Sequence, residues 1–68
     1  MRTVTSELQG LVEEFRVKGI EFAQGSIETV RGYCLEYGRT GQQAGFERAV
    51  EAWDAYRQAF RIAFGKEA

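Results

Sequence analysis

The side chains that could do chemistry in this sequence are few. Cys34 is its single thiol, there is no histidine, and the carboxylates stand apart except for the consecutive pair Glu13-Glu14. Adjacent residues diverge around a helix, so that pair does not converge on one reacting atom. General acid-base work would fall to carboxylates that recur at helical spacings on solvated faces, so no catalytic residues are expected. One cysteine without histidine also rules out a disulfide within the chain and a Cys/His zinc site, and neither a metal nor a cofactor is expected. Cys34 lies on an apolar stripe, which suits a small buried hydrophobe better than a reactive thiol. The segment "GRTGQQAG", residues 38–45, is glycine-rich, but it lacks the Lys-Ser/Thr ending of a phosphate loop and follows no strand.

The densest constellation is "WDAYRQAFRIAF", residues 53–64. An aromatic stripe at helical spacing is core material first. Whatever the core does not consume would suit a partner interface, where Trp, Tyr and Arg are enriched. The expected partner-binding residues are therefore Trp53, Tyr56, Arg57, Phe60, Arg61 and Phe64.

Helices must position these groups. Ser6 with Gln9 fits a capping box, and from there Leu8, Val12, Phe15, Gly19, Phe22 and Ser26 alternate at steps of four and three. After one extra step of four, Val30, Tyr33 and Tyr37 continue the seam, and Glu7, Glu14, Lys18, Glu21, Glu28 and Glu36 take the opposite arc. This predicts one helix over about 6–37, with Gly10, Gly19, Gly25 and Gly32 inside it at a combined cost of roughly 4 kcal/mol relative to alanine. Gly19, with Ala23 and Ser26, could admit a close helix neighbour. Gly38 reads as the helix stop and Thr40 with Gln43 as the next capping box, placing a turn at 38–41.

The second helix, about 42–64, carries Phe46, Ala49, Trp53, Tyr56, Phe60 and Ala63 on its seam, flanked by Val50 and Phe64 on one side and Ala52, Ala55, Ala59 and Ile62 on the other. That arc is wider than one neighbour covers. A chain of 68 residues also buries too little of itself to be comfortably stable, and oligomerisation is the support left once disulfides and metals are excluded. The expected fold class is all-α: one domain, residues 1–68, an antiparallel two-helix hairpin that dimerises into a four-helix bundle. In size and shape alone, such a dimer resembles the small plasmid RNA-binding hairpins of the Rop type. No motif is shared with them, and the formal net charge of −1 gives no basic face for nucleic acid.

The expected function is that of a non-enzymatic small dimeric helical protein that binds a larger protein to inhibit or regulate it. A Rop-like nucleic-acid hairpin built on Arg16, Arg31, Arg39, Arg48, Arg57 and Arg61 and a purely structural bundle are the alternatives. Acids match bases on the polar faces, which argues against adsorption to a membrane. The absence of an apolar run long enough to span a bilayer and the lone cysteine suggest the cytoplasm.

Overall fold

The computed structural model describes residues 6–68. Its three helices run α1 Ser6–Lys18, α2 Ile20–Thr40 and α3 Gln43–Phe64. The all-helical class agrees with the sequence pattern, but the two-helix hairpin does not, because the long first helix is broken at Gly19.

The break has a backbone cause. Gly19 takes φ 99° and ψ 168°, a region open essentially to glycine alone. Its N–H donates to the Phe15 carbonyl at 2.8 Å, closing α1, while its own carbonyl accepts from Ala23 N–H at 3.1 Å, opening α2. One residue thus ends one helix and starts the next. Arg16 and Lys18 in the last turn of α1 and Glu21 in the first turn of α2 complement the two helix dipoles meeting there.

The second junction also departs from expectation. Gly38 stays helical, and Gly41 is the left-handed residue that ends α2, at φ 78° and ψ 20°. Gln42 N–H donates to the Tyr37 carbonyl at 3.1 Å and Gly41 N–H to the Gly38 carbonyl at 3.4 Å, the paired bonds of a Schellman stop. Thr40 caps nothing in α3: its hydroxyl turns back to the Tyr37 carbonyl at 3.4 Å, and Gln42 occupies the cap position without a side-chain bond. The turn is therefore shorter than 38–41, and α2 and α3 fold back antiparallel, with Tyr37 beside Gly45 near the turn and Ile27 beside Trp53 farther along. Ser6 is the first residue of α1. The capping box expected of Ser6 would place it just before the helix, whereas it lies within α1.

α1 crosses one side of this hairpin. Val12 and Phe15 of α1 meet Ala23 and Ile27 of α2 and Ala59 and Phe60 of α3 in a single core, with Phe15 and Phe60 its two largest fully buried side chains. Phe15 sets its ring edge-on to Tyr56 at 6.0 Å and to Phe22 at 6.4 Å, tying α1 to both other helices. The wide apolar arc of α3 is thus covered on a second side by the chain's own N-terminal helix. The sequence pattern had assigned that surface to another copy.

The glycines sort by what a Cβ would meet. At Gly10, Gly25 and Gly32 there is open space, so these are helix-interior glycines without a packing reason, and neither they nor Gly19 admit a close neighbour. Close approach occurs instead at Gly45, where a Cβ would come within 2.9 Å of the Tyr37 ring. Gly25→Ala and Gly32→Ala should each raise stability in urea denaturation by about 0.5–1 kcal/mol. Gly45→Ala should lower it by about 1–2 kcal/mol, because the half-buried ring has to move; a stabilised Gly45→Ala variant would show that α2 and α3 are not in this register.

Candidate interaction surface

The structure disperses the six residues expected to bind a partner. Phe60 is fully buried and packs against Phe64 with the rings tilted by 57°, at 4.8 Å between centroids. Tyr56 and Phe64 are half-buried against the same core, and Trp53 is half-buried beside Ile27. Arg57 and Arg61 are exposed, and both face Glu67, at 3.7 and 3.4 Å. The aromatic members of the stripe are engaged by α1 and α2, so the surface they offer is small.

Trp53 is polar as well as aromatic, and here it is under-satisfied. Its indole Nε1 is buried with no hydrogen-bond acceptor among the described residues, while the Arg57 guanidinium lies 5.7 Å from the ring centre. An unpaired buried N–H costs about 1–3 kcal/mol. Trp53→Phe, which removes that donor but keeps an aromatic ring, should change stability by less than about 1 kcal/mol, whereas Phe60→Ala should cost about 3–5 kcal/mol. Thermal unfolding of the two variants distinguishes the half-buried position from the core one; an equal loss at both would contradict these placements.

Near the turn the same side of the hairpin is open. Phe22, which α1 touches through Phe15, and Tyr33 lie three helical turns apart on one face of α2, and Ala52 and Ala59 share a face of α3. α1 covers the end with Phe22 and Ala59 and leaves the other uncovered. There Val30, Tyr33, Tyr37, Gly45, Ala49 and Ala52 line an apolar groove of about 260 Å³, with Arg48 at its edge. Tyr33 is 56% exposed. The Tyr37 ring lies over Gly45, and Ala49 and Ala52 add only short side chains to the lining. Arg48 has no acidic partner among the described residues, whereas Arg16, Lys18, Arg31 and Arg39 are each paired with a glutamate three or four residues earlier.

On the opposite side, Gln24, Glu28, Arg31, Trp53 and Arg57 surround a more polar hollow of about 400 Å³. Glu28 pairs with Arg31 there at 3.6 Å, and Glu67 reaches Arg57. The fold brings these arginines near one another but supplies a carboxylate to each. No uncompensated cationic strip of the kind a phosphate backbone selects results from this arrangement.

Sequence reasoning missed the groove because it depends on the register that sets Tyr33 and Tyr37 of α2 beside Ala49 and Ala52 of α3, which is a tertiary feature. Gly45, Ala49 and Ala52 recur at steps of four and three, a spacing that could have identified a close-packed helix face. Cys34 is buried. It should react with a thiol reagent in the native protein at least tenfold more slowly than in denaturant; equal rates would place it on the surface.

Among the described residues there is no cluster of three metal-ligating side chains, and no helix is long and apolar enough to cross a membrane. No protein-family model, no curated protein and no solved structure matches the chain.

Proposed function

We propose that this chain is a non-enzymatic interaction module that self-associates and holds an apolar segment of a larger protein, inhibiting or regulating it. The observation that carries the reading is the groove between α2 and α3, open next to the surface that α1 already occupies. Its chemistry suits such a segment. Tyr33 offers an exposed aromatic ring beside the half-buried Tyr37, Arg48 adds a cation with no acidic partner among the described residues, and the short side chains of Ala49 and Ala52 leave room between the helices. The binding residues of this proposal are Tyr33, Tyr37 and Arg48, with Arg57 and Arg61 the members of the original set that remain exposed. A free thiol and the absence of disulfides fit a reducing compartment, which supports a cytoplasmic setting.

Tyr33→Glu places a charge at the groove's most exposed ring without touching the core, so the variant should keep its helical circular dichroism. Capture of host proteins on the immobilised chain should then yield one stoichiometric partner that Tyr33→Glu retains at least tenfold less well, as expected when a hot-spot aromatic is lost. Equal retention by the variant, or recovery of the chain alone, would overturn the groove as the binding site.

A further inference from the structure

We infer that a second copy of this chain can take the place of α1. In that assembly Gly19 straightens, residues 6–40 become one helix, and each protomer's α1 packs on its partner's α2 and α3. The inference deepens the self-association proposed above and rests on it. Its seat and its occupant are both visible within the single chain. Val12 and Phe15 already fill the space over Ala23, Ile27, Ala59 and Phe60, so the same contacts form when α1 arrives from another molecule. Exchange of an identical element is a low-cost route to a dimer because the closed contacts are conserved and only the hinge changes.

Three features of the hinge favour opening. It is a single residue, shorter than the two to eight that commonly join packed helices, and short connections invite exchange. The N–H groups of Ile20, Glu21 and Phe22 lose their helical acceptors at the bend, and Gly19 brings no side chain to cap them. A straight helix would return them to the carbonyls of Arg16, Val17 and Lys18. The apolar spacing, finally, runs through Gly19 in phase: a continuous helix places Leu8, Val12 and Phe15 on the same face as Phe22, Tyr33 and Tyr37. In the bent chain α1 reaches Phe22 through Phe15 but leaves Tyr33 exposed. Nothing lies within 4 Å of a Cβ at Gly19, so alanine there is opposed by its backbone angles alone, and only in the bent form.

Gly19→Ala therefore discriminates between forms. Sedimentation equilibrium under reducing conditions should show wild-type chain in monomer–dimer exchange and Gly19→Ala dimerising roughly a hundredfold or more tightly, since the penalty on the bend falls on both protomers and alanine favours the helix. The conformation is read separately from spin labels at Glu7→Cys and Glu36→Cys in a Cys34→Ala background, with labelled chain diluted into unlabelled. Dipolar spectroscopy should find roughly 43 Å in the dimer, the length of 29 residues of straight helix, and a shorter distance in the monomer. A dimer that keeps the monomer's distance would overturn the exchange while leaving self-association standing. Wild-type and Gly19→Ala chains that both sediment as monomers at about 100 μM, well above the micromolar range of ordinary association, would overturn both. The wild-type distance decides the matter even if the alanine variant does not fold.

Discussion

At Gly19 the backbone adopts angles that a residue with a Cβ does not tolerate, and the rest of the structure depends on the change of direction that follows. Without it, in a lone protomer Phe15 would stand on a helix projecting beyond the end of the hairpin, and Phe60 would lose its cover. With it, the two rings are buried in one core and α3 is covered on a second side. The conformational cost is small for glycine. The return is a third element for a chain whose two longer helices could not enclose a core between them.

The same bend sets the surface. α1 is 13 residues long, too short to cover the whole side of a hairpin whose helices have 21 and 22. It therefore shields the end away from the turn, and the exposed aromatic and small residues concentrate at the other end. Charge does little to organise this arrangement. The ion pairs are exposed and mostly local, of a kind worth about 0.2–1 kcal/mol each.

Legibility in the sequence followed the nature of each signal. The helical class could be read from apolar residues at steps of three and four, because burying a face of a helix requires that spacing, and the antiparallel return of α3 from the shortness of the turn before it. The bend could not be read that way, since the apolar seam keeps its phase on both sides of Gly19. End signals were nevertheless present: Arg16 and Lys18 before a glycine and Glu21 after it are what a helix stop followed by a helix start looks like. Similarly, Gly38 and Gly41 were both plausible stops. The structure ends the helix at Gly41, where a pair of bonds closes it, and Gly38 lies inside the helix against Phe46.

By itself the sequence determined that this chain forms amphipathic helices, which residue types must be withdrawn from water, and that cysteine–histidine metal chemistry and internal disulfides are unavailable to it. Those follow from local geometry and composition. Only the tertiary structure decided which helix covers which face. The width of the apolar arc on α3 shows that two neighbours are needed, but not whether the second comes from the same chain, because hydrophobic burial is non-directional and indifferent to connectivity. One backbone rotation at Gly19 resolves that for the protomer: it lays Phe15 of α1 against Tyr56 and Phe60 and leaves Tyr33 and Arg48 exposed.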